Sequence, residues 1–398
     1  MKNRITWGML IGSLVTFANL YGPQTFIQSF THEFQLSASQ ASLVLSISTF
    51  TLAFGMLIMA AVSNKWGRKN VMAFSLISSS VLYILEGFAP NFETLLFIRA
   101  LLGLAVSGFP AIAITYLAEE LPRAEFPKVL AVYITGTGVG GFIGRIVSSS
   151  MLDLTNWRIA VWTLGVLTLL LSIVFMFLVE PSKNFKAQPF SMKSWLTGIL
   201  NACKQKKLWY FYGLGFLALG IYVAVFNYIS FPLMSRFGLS QTLVGFVFVF
   251  QLMGSIGSMT VGRLNGRYSR TQLLVFALGF SFIGIALTAV HQLVVVLVGL
   301  FVISCSFFAW HSLISGWVSS SAIPSAKAYA SSLYLLFYYI GSSVIGTVSG
   351  HSYDRYGWNG ITVTLIGCVI VSFILLAFIQ FELKHSVKKA DLPLKHVS

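Results

Sequence analysis

Charge is what this chain has least of. Of its 398 residues, 9% are charged and only 11 are Asp or Glu. A water-soluble domain covers its surface with roughly a quarter charged residues, so a soluble protein of this length is excluded. Cysteine is scarce as well. Cys203, Cys305 and Cys368 show no CxxC spacing, which excludes a disulfide framework or a zinc ribbon and leaves packing as their role. No GxxxxGK[ST] stretch is present, so ATP does not drive the protein directly. Gly138-Val139-Gly140 lies inside an apolar run with no strand before it, so it is no dinucleotide site. The six histidines form neither HxxxH nor HExxH. No metal site, cofactor or catalytic constellation is expected, and the chain does not read as an enzyme.

What is abundant is hydrocarbon. Hydrophobic residues make up 56% and the mean hydropathy is +0.82. Helices apolar all round for about 20 residues match a bilayer core roughly 30 Å thick. The pattern predicts twelve spans, near 6–27, 41–62, 71–89, 93–117, 129–151, 158–179, 208–231, 241–262, 271–290, 292–318, 329–350 and 359–381. Residues 159–178 and 360–381 carry no charge at all, whereas only His291-Gln292 separates the ninth span from the tenth. Residues 1–27 are too long for a signal peptide and lack a small-residue cleavage site, so they are read as a first span.

The net charge of +15 would suggest nucleic acid in a soluble protein, but its placement argues otherwise. Of 26 Lys and Arg, 21 fall in the loops on the side of the two termini; the opposite loops hold only Arg158, Arg236 and Arg355. By the positive-inside rule both termini are cytoplasmic, in a cell (inner or plasma) membrane. The basic pI is a topology signal, and no nucleic-acid partner is expected.

The chain also repeats itself. Val62-Ser63-Asn64-Lys65-Trp66-Gly67-Arg68-Lys69 has an echo in Arg263-Leu264-Asn265-Gly266-Arg267-Tyr268-Ser269-Arg270, with Lys65 and Arg68 each mapping 202 positions on. Asn156-Trp157 and Gly357-Trp358 stand 201 apart. A constant shift over half the length marks a duplicated unit. The expected domains are a six-helix bundle at 1–182, a cytoplasmic linker at 183–207 and a second bundle with a short tail at 208–398. Within the linker, Ser191 to Lys207 reads as an amphipathic helix. Trp195, Leu196, Ile199 and Leu200 form its apolar side, and Lys193, Lys204, Lys206 and Lys207 mark its wet side or ends.

The first loop resembles the cytoplasmic signature of the major facilitator superfamily: glycine, any residue, a small apolar pair, Asp-Arg, any residue, then Gly-Arg-Arg/Lys. Gly67, Arg68 and Lys69 match it. Ala60 stands for its first glycine, Asn64 for its Asp and Lys65 for its Arg, while in the echo Gly266 replaces the Asp and Ser269 the second glycine. Leu96 to Gly103 is similar to the family's intramembrane Arg followed four residues later by Gly. Gly140-Gly141-Phe142-Ile143-Gly144-Arg145 resembles the antiporter signature Gly-Pro-x-x-Gly-Gly, with Gly141 in the Pro position and Arg145 in that of the last Gly. Tyr21-Gly22-Pro23-Gln24 resembles the opening of the twelve-span efflux permeases. The resemblance implies an all-α polytopic membrane protein with twelve helices in two pseudo-symmetric bundles. It also implies an inner gate built from Asn64, Lys65, Gly67, Arg68, Lys69, Glu119, Arg263, Arg267 and Arg270. Glu119 and Glu120 are reachable partners for Arg68, and Gly140, Gly141 and Gly144 let helices approach closely or rock.

Ionisable groups at a helix centre in the bilayer cost about 2.5–3.5 kcal/mol or more, so they mark function. Arg99 and Arg145 are the clear cases; Glu86 and His311 are the titratable ones. Glu86, Arg99 and His311 are candidates for proton coupling. Gln24, Arg145, Asn227, Tyr228, Gln251, Trp310, His311, Tyr338 and Tyr339 are candidates for the substrate pocket. No Asp or Glu falls in spans one, two or seven to eleven, so fixed charge in the pocket is positive and favours neutral or anionic cargo. The expected function is proton-coupled efflux of a small organic compound by a monomer in the lipid bilayer. Uptake by symport or facilitated diffusion is the alternative, and a non-transporting membrane sensor a distant third.

Overall fold

The computed structural model describes residues 2–182, 184, 192–323 and 326–390. It is built of helices, and the one β-type contact among the described residues is the bridge between Asn265 and Tyr268. Ten helices are long and apolar enough to cross a membrane. One of them holds both the eleventh and the twelfth expected spans: the run Lys327–Ala390 breaks at Gly357, whose φ of 59° only glycine adopts readily. The third expected span is the separate helix Arg68–Glu86, whose serines and basic first turn lower its hydropathy. The arrangement agrees with a twelve-span chain.

Polar caps place the helix ends. Asn91 accepts from the Thr94 amide and Asn156 from the Ile159 amide. Ser37 with Gln40, and Ser269 with Gln272, form reciprocal capping boxes. The bend between Lys2–Tyr21 and Ile27–Glu33 is a 3-10 turn, Gly22–Phe26, where Pro23 removes a backbone donor. Other spans that read as continuous in sequence are broken too. The fourth divides at Ser107, the seventh at Ile229, and the eighth into Gln241–Val247, Val249–Met253 and Ser255–Leu264. Each break leaves nearly helical dihedrals, so nothing in the hydropathy marks it. At Ser107 the hydroxyl bonds back to the Leu104 carbonyl at 2.6 Å, a local competitor to the helical ladder. His291-Gln292 does separate two helices, Arg270–Thr288 and Leu293–Ser321.

Close approach of helices follows the repeat. A Cβ on Gly140 would stand 2.6 Å from Leu14 Cα, and one on Gly144 2.6 Å from Ala18 Cα, so the first and fifth spans pack backbone to backbone. In the second half Gly341, 201 positions after Gly140, meets the Phe216 carbonyl in the same way between spans seven and eleven. The outer wall is apolar, with Phe97, Phe177, Val363 and Phe381 more than half exposed, as lipid contact requires. In the linker the helix spans Met192–Cys203. Leu196 and Leu200 are exposed, and Gly198, Ile199 and Ala202 pack inward, Gly198 against the Tyr329 ring. Residues 183 and 185–191 and the side chains of Lys193 and Trp195 lie outside the described residues.

Hydrogen bonds between the halves cluster at the end of the bundle away from the termini. Asp153 of the fifth span accepts from the amides of Gln241 and Thr242 at 3.2 and 2.7 Å, capping the eighth span. Asp354, which follows the eleventh span, accepts from the amides of Ala38 and Ser39 at 2.9 and 3.3 Å, capping the second. Thr49 and Ser343 hydroxyls lie 3.0 Å apart, and Tyr228 reaches the Ser42 hydroxyl at 2.7 Å. Toward the terminal end a cavity of about 500 Å³ parts the second and fourth spans from the eleventh, with Asn64, Met56, Pro110, Tyr329 and Leu336 among its walls and Ile199 of the linker at its edge.

Candidate functional site

Between the halves, one polar chain joins three of the expected pocket residues. Arg145 Nε donates to Gln24 Oε1 at 2.7 Å, and Gln24 Nε2 donates to Asn227 Oδ1 at 2.6 Å. Arg145 Nη1 also donates to the Gly141 carbonyl at 2.9 Å, one helical turn back. The guanidinium lies between the rings of Tyr21 and Phe248, 4.7 Å from each centroid. Stacking of this kind suits the weakly hydrated, planar Arg head. All three polar side chains are buried. Gln24 is placed there by the 3-10 turn at Gly22–Phe26, Arg145 by the glycine-packed fifth span, and Asn227 by the last turn of Lys206–Tyr228, just before the seventh span breaks.

A band of rings leads from this chain across the second half. Phe248 meets Phe226, Phe226 meets Tyr222, and Tyr222 stacks on Phe307 at 4.0 Å between centroids. Phe307 then meets His311, which lies 4.7 Å from the Tyr338 ring and within 2.9 Å of the Tyr334 hydroxyl through Nδ1. Tyr338 touches Tyr339. His311, Tyr338 and Tyr339 thus lie side by side in this band. Trp310 is buried, with its indole N–H unpartnered among the described residues. Gln251 sits half-buried on the eighth span. Tyr228 is used elsewhere, in the contact with Ser42 and the Gly346 carbonyl that closes the far end.

Glu86 and Arg99 pair at 3.2 Å, both fully buried. Glu86 therefore does not reach toward the membrane surface, as its position near a span end would allow. Arg99 also donates to the carbonyls of Asn19, Leu20 and Val44 at 3.1, 2.9 and 2.9 Å. A cation so enclosed staples the first, second, third and fourth spans.

In the loop after the second span, Gly67 adopts φ 84°, and Arg68 forms a two-pronged pair with Glu119 at 2.8 and 3.1 Å. Asn64 accepts from Arg68 at 2.8 Å, the task an Asp would otherwise perform. Both partners belong to the first half, so in this conformation the pair fastens the third span to the fourth and not one half to the other. Glu120 instead accepts from the Asn184 amide. In the echo Gly266 makes the turn at φ 103° and Arg270 donates to Ser320 at 2.7 Å. Lys65, Arg263 and Arg267 are exposed and Lys69 is half-buried. The sequence reading missed Asp153 and Asp354, although they carry the repeat's own offset of 201 and each precedes its tryptophan by four residues.

The pattern of a Major Facilitator Superfamily domain matches residues 9–346. The Uncharacterized MFS-type transporter YybF of Bacillus subtilis (strain 168) is 34% identical, over 98% of this chain and 95% of the relative. The Inner membrane transport protein YnfM of Escherichia coli (strain K12) is 34% identical, over 90% of this chain and 86% of the relative. Among solved structures, a bacterial homolog of the human lysosomal transporter Spinster superposes with a TM-score of 0.76 at 14% identity, covering 95% of this chain and 96% of that one. The nucleoside transporter NupG gives a TM-score of 0.72 at 16% identity, over 96% of this chain and 99% of that one. At such identity the structures speak for the fold alone. Helical repeat, loop signature and whole-length relatives agree: this chain is a multi-pass membrane transporter of the Major Facilitator Superfamily.

Proposed function

We propose that the protein exports a small neutral or anionic organic compound in exchange for protons, by rocking two halves about the Gln24–Arg145–Asn227 level. The observation that carries this reading is the asymmetry of the interface between the halves. Polar clasps join them at the end away from the termini, and a cavity of about 500 Å³ parts them at the terminal end. That is one of the two states an alternating-access machine needs. The excess of basic loops assigns the cavity end, with both termini, to the cytoplasm of a cell membrane, which makes this state open inward.

His311 is the favoured proton carrier. It faces Tyr334 and Tyr338 in the ring-lined band, whereas the Glu86 carboxylate is committed to Arg99. Arg68, Glu119 and the cations of the echo would form the inner gate when the halves close at that end. The protein acts as a monomer on this reading. Uptake remains the second reading, favoured by Gly141 in place of the proline of the antiporter signature.

The test uses purified protein in proteoliposomes carrying an imposed pH gradient, with fluorescent and radiolabelled metabolites and antibiotics as cargo. Export by exchange predicts that cargo accumulates against its gradient when protons run the other way. Cargo moving with protons in the same direction would replace this reading by symport.

A further inference from the structure

Arg145 is a buried charge without a counter-charge. Each of three other arginines has its own carboxylate: Arg68 has Glu119, Arg99 has Glu86 and Arg158 has Glu33. No carboxylate pairs with Arg145 among the described residues; its hydrogen bonds go to two neutral acceptors, the Gln24 amide oxygen and the Gly141 carbonyl. Burying an unpaired cation is costly, and proteins keep one where something else supplies the anion.

The neighbouring amides strengthen the point. A guanidinium only donates, so the Gln24 atom that meets Arg145 must be its oxygen. Gln24 Nε2 is then forced toward Asn227, whose oxygen must accept it. Asn227 Nδ2 is left over, a buried donor with no partner among the described residues. Every dipole in the chain therefore runs the same way, from the cation to a spare N–H. The fifth span's pseudo-symmetric mate explains where room exists. Gly346 stands 201 positions after Arg145 and presents no side chain. A Cβ there would meet nothing closer than Asn227 Nδ2 at 3.6 Å and Ser46 Oγ at 3.7 Å. One half fills this place with a guanidinium; the other leaves it open in front of an unpartnered donor. Around the chain stand aromatic faces, Tyr21 and Phe248 first.

We propose that the substrate is a small organic monoanion, a single oxyanion head on an aromatic or apolar body. Its head supplies Arg145 with its missing partner, draws on the spare amide donor, and lays its body against the neighbouring rings. This rests on the transporter reading above and narrows its cargo. Two parallel N–H···O bonds from a guanidinium match an oxyanion in geometry as well as charge. A cation of the same shape would meet the guanidinium directly.

The experiment uses three probes of one shape that do not change charge near neutral pH: benzenesulfonate, benzenesulfonamide and phenyltrimethylammonium. Binding to the purified full-length protein is read by thermal shift and by tryptophan fluorescence, and exchange by counterflow in proteoliposomes. Benzenesulfonate should bind best. Arg145→Gln should weaken it by about 30-fold while shifting benzenesulfonamide less than about threefold, the span of a charge-assisted hydrogen bond. Arg145→Lys keeps the charge but loses the fork. It should weaken benzenesulfonate by about tenfold and leave the elution profile of the wild type, which covers the case of a Gln variant that does not fold. Equal or tighter binding of the neutral or cationic probe, no binding of benzenesulfonate, or binding indifferent to both variants overturns the proposal. Counterflow separates the two readings. Exchange of the cation or the amide alone leaves the transporter standing without the anion site, and Arg145-dependent binding without exchange leaves the anion site standing without transport.

Discussion

Asp153 and Asp354 lie 201 positions apart and perform the same task in opposite directions: each caps the first turn of a helix in the other half. Their targets, Thr242 and Ser39, stand 203 apart, so the pair of contacts repeats the symmetry of the chain itself. A carboxylate on unpaired helix N–H groups gains hydrogen bonds and the favourable end of the helix dipole together. Both clasps must open whenever the far end opens.

Removing them should therefore change which state the protein occupies before it changes whether the protein folds. A lost cap is worth about 0.5–2 kcal/mol, so Asp153→Ala or Asp354→Ala should each shift the ratio of closed to open far ends by roughly 2- to 30-fold. The two sites share no partner, and the double variant should add the effects. Spin-label distances across the far end, measured on the purified variants, should lengthen with each substitution. Unchanged distances in the double variant would show that the clasps hold nothing.

These clasps also mark the limit of what the sequence made legible. The spans, the duplication and the Arg68–Glu119 partnership follow from hydropathy, a fixed offset and the reach of an arginine. Gln24, Arg145 and Asn227 stood out because polar groups inside a bilayer need a reason. Asp153 and Asp354 looked like ordinary loop carboxylates, since a cap supplied from another part of the chain has no local pattern. Applying the offset to every acidic residue would have paired them. The breaks at Ile229, Phe248 and Gly254 were hidden for another reason. Their residues are apolar and their dihedrals remain near helical, so hydropathy is blind to them.

The Glu86–Arg99 pair should behave as a staple. Arg99→Ala leaves a carboxylate buried without its partner and removes the hydrogen bonds that three carbonyls of the first and second spans accept from the guanidinium. A broken buried pair costs about 3–5 kcal/mol, and the purified variant should melt well below the wild type or fail to accumulate. Glu86→Gln keeps a hydrogen-bonding head beside Arg99 and should cost clearly less. Equal melting temperatures for wild type and Arg99→Ala would remove the staple from the account.

The glycines of the spans divide into tight and loose positions. Gly144→Ala brings a methyl within 2.6 Å of Ala18 Cα, a backbone that cannot turn aside. Overpacking of this kind costs about 1–3 kcal/mol and should lower the melting temperature. Gly279→Ala on the ninth span meets nothing within 4 Å and replaces the weaker helix former, so its melting temperature should equal or exceed that of the wild type. If the two alanines behave alike, backbone contact between the first and fifth spans is not what sets glycine at 144.

His311 and Glu86 give opposite forecasts for coupling. His311 meets Tyr334 through Nδ1 and stacks at one end of the ring-lined band, so a proton gained or lost there changes the charge of the band whose other end, Phe248, rests against Arg145. Glu86 exchanges a proton only by breaking its pair with Arg99. His311→Gln should therefore retain counterflow, which needs only the loaded carrier to reorient, while losing the accumulation driven by a pH gradient. Glu86→Gln should retain both. Tyr334→Phe removes the hydroxyl that fixes the imidazole and should move the pH midpoint of gradient-driven transport without abolishing it. Gradient-driven accumulation that survives His311→Gln and disappears in Glu86→Gln would reverse the assignment. The proton would then reach the substrate site through the first half, past Arg99, and the buried pair would be a relay that opens in each cycle.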